Sequence, residues 1–258
     1  CCEDEEARTG CCEDEDDKGD VDLSGHGTAS AAILTGDASL EDCYRGVTDA
    51  AILSYRVYPY DHRNPDEPEL DGFATACALQ AAAGLGIRIV LVETQAWASD
   101  PDQETEAIAE EARSAYRTGC VVIAPTGNTT NVVASPALMS EVIGVGAWDL
   151  AFRNAYSGGG RGWVDQRPKP DLLAPTNIRT ASNRSRSDLL PFSGTSGAAP
   201  GATGAALLLR NWIATWGVDE PGSVHSWMLA SARPHSTGGF DVGEGAGWLD
   251  LAGGGWSW

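Results

Sequence analysis

The fold of this chain is predicted by one stretch, Gly194-Thr195-Ser196-Gly197-Ala198-Ala199-Pro200. It places a single serine among small residues, which leave the Ser196 hydroxyl uncrowded and let the backbone of a bound molecule approach. Pro200 predicts the first turn of a helix, where its missing N–H costs no intrahelical hydrogen bond. Residues 201 to about 216 are rich in alanine and leucine and predict the body of that helix. A serine held so rigidly is a candidate nucleophile if a base lies nearby.

Two other stretches supply partners for this serine. His26 lies in Ser24-Gly25-His26-Gly27-Thr28, at the start of another run of small residues that predicts a helix, and it is a candidate base. A buried strand that ends in a turn is predicted for Val121-Val122-Ile123-Ala124-Pro125-Thr126-Gly127-Asn128. The Asn128 amide at the end of this strand is a candidate donor to a negative charge that develops on oxygen.

Taken together, in the order His26, Asn128 and Ser196, these stretches resemble the motifs of the subtilisin-like serine proteases, or subtilases. The family carries a His-Gly-Thr block, a Gly-Asn pair after a buried strand, and Gly-Thr-Ser-x-Ala-x-Pro. Each motif alone is weak evidence, but their shared order and approximate spacing make coincidence improbable. The resemblance extends from about residue 20 to residue 251.

The resemblance implies an α/β fold of three layers, with a mostly parallel central sheet and helices on both faces. It also implies a serine endopeptidase in which Ser196 attacks a peptide carbonyl, His26 moves the proton and the Asn128 side chain donates to the oxyanion. Residues that bind the peptide or protein substrate are implied in two segments: Thr94, Gln95, Ala96, Thr126 and Gly127.

Cofactor and location are expected from the resemblance alone. The family's reaction requires no cofactor, and no metal ligand is assigned to this chain. Many subtilases are secreted and stabilised by calcium, which makes an extracellular location and a structural Ca²⁺ ion expectations here. The sequence offers no complete set of oxygen ligands for that ion.

Composition narrows the classes of function. A hydrophobic content of 42% supports a globular core, and the absence of an apolar run of 18 residues argues against a membrane span. The formal net charge is −20, which argues against a nucleic-acid partner because phosphates would be repelled.

The acidic charge is concentrated at the start of the chain. Residues 1–20 contain ten acidic and two basic residues, a net charge of −8, and Cys1-Cys2-Glu3-Asp4-Glu5 recurs as Cys11-Cys12-Glu13-Asp14-Glu15. This predicts an acidic, cysteine-containing tail over residues 1–20 and a subtilisin-like peptidase domain over residues 21–258. Because the chain starts without Met or a signal-peptide pattern, we expect that a propeptide or another N-terminal segment precedes Cys1.

Apolar runs alternate with helical stretches, which predicts a parallel sheet covered on both faces. Strands are predicted at residues 51–57, 87–92, 121–124, 142–145 and 172–174. Two further helices are predicted, one capped by Asp71 and stopped by Gly84, the other opened by Asp100 and stopped by Gly119.

The family's catalytic aspartate is not assigned to any residue of this chain. In subtilases it ends an apolar strand well upstream of the histidine, and no such strand stands before His26. Asp22, four residues before His26, matches instead the acidic residue that often precedes the His-Gly-Thr block. An imidazole without a carboxylate partner loses control of its tautomer, at a cost of about 10⁴ in turnover.

A second departure lies in the segment that binds substrate in the family. Subtilases have Asn-x-Ser-x-Gly-Gly there, whereas this chain has Leu91-Val92-Glu93-Thr94-Gln95-Ala96. Gln95 and Ala96 add side chains where glycines allow close approach, and Glu93 adds negative charge. These changes predict either a narrowed specificity, such as for basic residues, or the loss of activity.

Other hypotheses therefore accompany the serine endopeptidase. The main alternative is a catalytically inactive subtilase-like domain that binds peptides or serves as a partner-binding scaffold. An esterase of the α/β-hydrolase type is disfavoured because Ala198 replaces the last glycine of Gly-x-Ser-x-Gly, and His225 or His235 would have to act as base. Nucleotide binding at Gly243-x-Gly245-x-Gly247 is disfavoured by the spacing of the glycines.

Overall fold

The structure of the chain is a computed structural model that describes residues 22, 24–37, 45–58, 72–96, 103–185, 187–235 and 239–250. The helices of this part are α1 His26–Thr35, α2 Gly72–Gly84, α3 Gln103–Arg117, α4 Gly194–Ala214 and α5 Pro221–Ser231. The strands are β1 Ile89–Leu91, β2 Val121–Pro125, β3 Val142–Asp149, β4 Asn154–Ala155, β5 Gly162–Val164, β6 Arg167–Lys169, β7 Leu172–Thr176, β8 Ile178–Ala181, β9 Leu189–Phe192, β10 Ala232–Arg233 and β11 Trp248–Leu249.

The central sheet is mostly parallel. Its strand order is β1-β2-β3-β7-β11-β10, and the neighbours from β1 to β11 all run parallel. Antiparallel pairs occur only where β10 meets β11 and where β4 meets β3, within the described part of this sheet. Two separate antiparallel hairpins are formed by β5 with β6 and by β8 with β9.

Strand β2 shows how the two faces of the sheet are filled. All five of its residues are buried, as expected for a parallel strand with helices on both sides. Side chains alternate along a strand, so Val121 and Ile123 belong to the core beneath α4 and α5, with Ala202 and Met228.

The remaining face of the sheet packs against α2 and α3. Val122 and Ala124 of β2 lie in this second core, together with Leu79 of α2 and Ile108 of α3. One sheet between two helical layers is the three-layer α/β arrangement that the sequence predicts. The described residues contain no helix that is long and apolar enough to cross a membrane.

The order of the strands determines where a site can form. Parallel strands point their carboxyl ends toward the same edge, where open α/β sheets bind their ligands. Asn128 follows β2 by three residues, Thr176 ends β7, and Ser196 begins α4 after the β8–β9 hairpin. The chain therefore brings three distant segments to one edge of the sheet.

Two predictions about local structure are wrong. Residues 51–57 are not a strand, because no described strand pairs with them, and Ile52 and Leu53 are 43% and 54% exposed. Helix α4 begins at Gly194 rather than near Gly201, so Pro200 lies inside the helix instead of in its first turn. The contacts that hold the turn before this proline, described below, account for the early start.

The other strands and helices agree with prediction apart from their ends. Strand β1 is shorter than predicted, whereas β3 and β7 extend further toward the site. The predicted caps Asp71 and Asp100, and the predicted acidic tail of residues 1–20, lie outside the described residues.

Candidate active site

Ser196 is the third residue of α4 and is buried. In the first turn of a helix the backbone N–H groups have no carbonyl acceptor within the helix, so the Ser196 N–H remains available to a ligand. The turn is fixed from the side by Thr176, whose Oγ1 donates to the Gly194 carbonyl over 2.7 Å. The positive end of the α4 dipole also lies here and favours negative charge. The turn thus presents a hydroxyl and a free N–H at a site suited to an anion.

Two glycines beside Ser196 are required because any side chain at these positions would clash with neighbouring atoms. Gly194 has a φ of +70°, and a Cβ added there would lie 2.6 Å from Asn128 Oδ1. A Cβ on Gly197 would lie 2.7 Å from the Phe192 carbonyl oxygen. Both distances are too short for a side chain, so the glycines let the strand end, the asparagine and the helix start approach one another.

Asn128 is held against the same turn. Its Oδ1 accepts hydrogen bonds from the Thr195 N–H over 2.9 Å and from Thr195 Oγ1 over 3.2 Å. With the amide oxygen fixed by Thr195, the Nδ2 group is directed away from it, and no hydrogen bond within the described residues uses that donor. Asn128 is exposed, so its Nδ2 group is available to a molecule bound at this turn, where Thr195 directly precedes Ser196.

His26 is the first residue of α1, and Asp22 holds the start of that helix. The Asp22 carboxylate accepts from the N–H groups of Gly25 over 2.8 Å and Thr28 over 2.6 Å. Although burial opposes the shift, hydrogen bonds from Thr28, Gly25 and Ser24 lower the pKa of Asp22. Asp22 therefore caps the helix and acts on His26 only through its charge.

The imidazole of His26 is kept neutral by its surroundings. Burial lowers the pKa of His26, and the charge of Asp22 only partly offsets this effect. The ring contacts the edge of Phe192 with a centroid separation of 5.0 Å. A neutral imidazole near neutral pH is the form that can accept a proton.

Glu93 is a site residue whose position the sequence did not reveal. Its Oε2 lies 3.9 Å from His26 Nε2, and both carboxylate oxygens are shielded from solvent without a hydrogen bond among the described residues. Burial raises the pKa of Glu93 to about 8, although the nearby hydroxyls of Ser196 and Ser30 act in the opposite direction. Sequence reasoning treated Glu93 as a charge facing substrate. Its position beside His26 and Ser196 depends on segments far apart in the chain.

Gln95 lies on the nucleophile candidate itself. Its Nε2 is 3.2 Å from Ser196 Oγ and donates to it. The hydrogen bonds of the described residues include none directly between His26 and Ser196. Instead, Glu93 lies beside His26 and Gln95 donates to Ser196, and the two are two residues apart on the segment that leaves β1.

Among the described residues, the backbone of this segment is paired along one edge only. Ala96 forms an antiparallel bridge with Ser135, in which Ala96 N donates over 3.2 Å and Ala96 O accepts over 2.8 Å. Successive residues of an extended segment direct their backbone groups to opposite edges, so the groups of Gln95 face away from Ser135. Thr94 is buried, and its Oγ1 has no hydrogen-bond partner in the part of the chain that the structure describes. Of the residues predicted to bind peptide in this segment, Gln95 is the one whose backbone groups face away from Ser135.

Thr126 and Gly127 form the turn that carries Asn128. The Gly127 N–H donates to Thr195 Oγ1 over 3.2 Å, and the Gly127 carbonyl accepts from the N–H of Gly160 over 2.6 Å. The Thr126 carbonyl accepts from Ala134. These groups are occupied within the protein and position Asn128.

A metal site does not emerge from the described ranges, which contain no group of three or more His, Cys, Asp or Glu side chains placed to hold an ion. The predicted structural Ca²⁺ ion therefore stays a prediction.

The comparison with known proteins identifies the family. The sequence profile of the subtilase family matches residues 3–248. The chain belongs to the subtilase family. A relative is mycosin-1 of Mycobacterium tuberculosis, which is 28% identical over 89% of this chain. The alignment spans 60% of the length of mycosin-1, so this subtilase chain corresponds to part of that protein.

Solved structures support the same subtilase fold. The prenylagaramide maturation protease PagA matches with a TM-score of 0.68 and 24% identity, over 90% of this chain and 82% of its own. MycP1 with its N-terminal propeptide removed matches with a TM-score of 0.72 and 23% identity, over 92% of this chain and 82% of its own. At these identities the likeness establishes the fold of this subtilase.

Proposed function

We propose that this subtilase is a serine endopeptidase in which Ser196 is the nucleophile, His26 the base and Asn128 the oxyanion donor. The observation that carries the proposal is the turn at the start of α4. There Asn128 Oδ1 is bound to the N–H of Thr195, the residue before Ser196, which leaves the Asn128 Nδ2 donor at the turn that carries the Ser196 hydroxyl. The structure of the turn needs only the Asn128 oxygen, so the exposed Nδ2 donor is left for a bound molecule.

The chemistry follows from these groups. Ser196 Oγ attacks the scissile carbonyl while His26 takes its proton, and His26 then gives the proton to the leaving amine. Water repeats the sequence on the acyl-enzyme and releases the carboxylic acid. Burial keeps His26 neutral beforehand, so it is able to accept the proton. The Gln95 amide leaves Ser196 Oγ when substrate binds, because the attacking hydroxyl must turn toward the carbonyl.

The tetrahedral intermediate places a negative charge on the carbonyl oxygen. Asn128 Nδ2 and the Ser196 N–H would donate to it, and the α4 dipole adds a favourable field. An extended substrate would pair with the free backbone edge at Gln95, which supports peptides and proteins as the substrate class.

The test is covalent labelling of the folded protein with a fluorophosphonate, followed by peptide hydrolysis. Ser196→Ala is expected to abolish both. The matched control is Ser193→Ala, since Ser193 is an exposed serine three residues earlier whose side chain makes no capping hydrogen bond. Labelling that persists in Ser196→Ala, or that disappears in Ser193→Ala, would contradict the assignment.

A second function has its own supporting observation. Within the described residues no carboxylate accepts a hydrogen bond from His26, and Gln95 rather than His26 contacts Ser196. This favours the alternative of a catalytically inactive subtilase that binds a peptide or partner along the Gln95 edge. Folded wild-type protein that binds peptides but takes no fluorophosphonate label would establish this alternative.

A further inference from the structure

Glu93 is the buried ionisable group at the centre of the site, and the reaction described above assigns it no part. Its carboxylate lies 3.9 Å from His26 Nε2, which is too long for a hydrogen bond but short enough for a strong charge interaction. Neither oxygen has a hydrogen bond from any described residue, and the side chain is 17% exposed. An ionised carboxylate left this way is costly, so Glu93 favours its neutral form unless a positive charge forms beside it.

The surroundings of Glu93 contain only a few groups that titrate. His26 faces it from α1 and Tyr58 from the segment 45–58, where burial and the charge of Glu93 raise the pKa of Tyr58. The side chains that face it from α1 and α4, Ser30 and Ser196, are neutral hydroxyls. Asp22 acts on His26 by its charge. Burial and the hydroxyls of Ser196 and Ser30 determine the shift in the pKa of Glu93, and no cation is among its causes.

We propose that Glu93 is a positioning residue that, when ionised, stabilises the His26 imidazolium formed as Ser196 is deprotonated. The inference rests on the proposed function. The proton moves from Ser196 Oγ to His26, and Glu93, which makes no hydrogen bond to the imidazole at 3.9 Å, acts on this step through its charge. Glu93 supplies charge from the segment that also carries Gln95.

This role predicts activity that rises with pH. Burial raises the pKa of Glu93 to about 8, so at pH 7 most of the free enzyme holds Glu93 neutral and without a compensating charge. As pH rises through about 8 the carboxylate forms, and the imidazolium becomes easier to generate. Labelling of Ser196 should therefore show a rise near pH 8 in addition to the titration of His26 below pH 6.5.

The experiment measures the rate of fluorophosphonate labelling from pH 5 to 10 in wild type, Glu93→Gln and Glu93→Asp. Glu93→Gln should lack the rise near pH 8 and label at least about tenfold more slowly at pH 9, since a nearby opposite charge shifts a pKa by about 1–3 units. Glu93→Asp keeps the carboxylate but moves it further from His26, so the rise in labelling rate near pH 8 should persist at a reduced size. The control Tyr58→Phe removes the neighbouring phenol and should keep the full rise.

A second measurement does not depend on catalysis. In the Ser196→Ala protein, NMR titration of the His26 ring should show an inflection near pH 8 that is absent when Glu93→Gln is added. Equal His26 titrations and equal pH profiles with and without Glu93 would overturn the inference. Coupling of the two groups in a protein that never takes the label would instead overturn the proposed function, and with it the catalytic meaning of the pair.

Discussion

Asn128→Asp separates the structural role of the Asn128 amide, which holds Thr195, from its proposed role as oxyanion donor. Aspartate keeps an oxygen in the place of Oδ1, which accepts from the Thr195 N–H over 2.9 Å and from Thr195 Oγ1 over 3.2 Å. The turn that carries Ser196 should therefore keep its geometry. What disappears is the Nδ2 donor, and a second carboxylate oxygen takes its place beside the developing oxyanion.

The size of the effect can be worked from these contacts. Removing one oxyanion donor costs about 10²–10³ in kcat, or about 2.7–4 kcal/mol of transition-state stabilisation. The added negative charge repels the oxyanion, so we expect Asn128→Asp to lose at least about 10³ in kcat. Its stability should change by less than about 1 kcal/mol because both bonds to Thr195 persist. Asn128→Ala removes those bonds too, and the unpaired Thr195 groups should cost about 1–3 kcal/mol of folding free energy.

The assay pairs kcat on a peptide amide substrate with urea unfolding of each variant. The reasoning requires that Asn128→Asp be catalytically impaired but stable, and that Asn128→Ala be impaired and destabilised. An Asn128→Asp enzyme with wild-type kcat would show that Nδ2 does not contact the oxyanion. A destabilised but active Asn128→Ala enzyme would show that Asn128 only shapes the turn.

Three other predictions concern stability. Gly197→Ala should lower the free energy of unfolding by about 1–3 kcal/mol because its Cβ would meet the Phe192 carbonyl, while the control Gly201→Ala has open space and should gain about 1 kcal/mol. Hydrogen bonds lower the pKa of Asp22 in the folded protein. Asp22 therefore stabilises the fold fully above about pH 4, and this stabilisation disappears as pH falls through the pKa of Asp22 in the folded state. The loss of melting temperature caused by Asp22→Asn should accordingly become smaller in acid. Burial raises the pKa of Glu93 to about 8, so the wild type loses stability as pH rises from about 4.3 to 8, and the melting-temperature advantage of Glu93→Gln should grow over that range.

The sequence predicted most of the fold because the features that decide it are local. The apolar run of β2 marks a strand buried on both faces, and the small residues around Ser196 mark a crowded helix start. The segment 51–57 was mispredicted for a physical reason. Apolar composition indicates that a segment can be a strand, but a strand also needs a neighbour, and composition does not report whether one is present.

The site was predicted less completely because its electrostatics are non-local. His26, Asn128 and Ser196 stand in recognisable motifs, whereas Glu93 is one charged residue after an apolar run. Its environment is created by α1 and by the start of α4, which lie about 60 and 100 residues away in the chain. Only once these segments pack does burial shift the pKa of Glu93, so no local pattern could have indicated it.

Pro200 explains why the first turn of α4, which carries Ser196, is stabilised by residues outside the helix. Proline has no N–H, so within α4 it cannot donate to the carbonyl of Ser196, four residues earlier. The turn of the nucleophile thus lacks one of the axial bonds that normally tie a first turn to the next. Two hydrogen bonds from outside the helix compensate for it. Thr176 donates to the Gly194 carbonyl, and Asn128 accepts from the Thr195 N–H. Because Thr176 ends β7 and Asn128 follows β2 by three residues, the sheet sets the position of Ser196 and also that of Asn128, the proposed oxyanion donor. The proposed nucleophile and the proposed oxyanion donor therefore share one support, and the hydrogen bond from Gln95 to Ser196 Oγ is the contact that a substrate would have to displace.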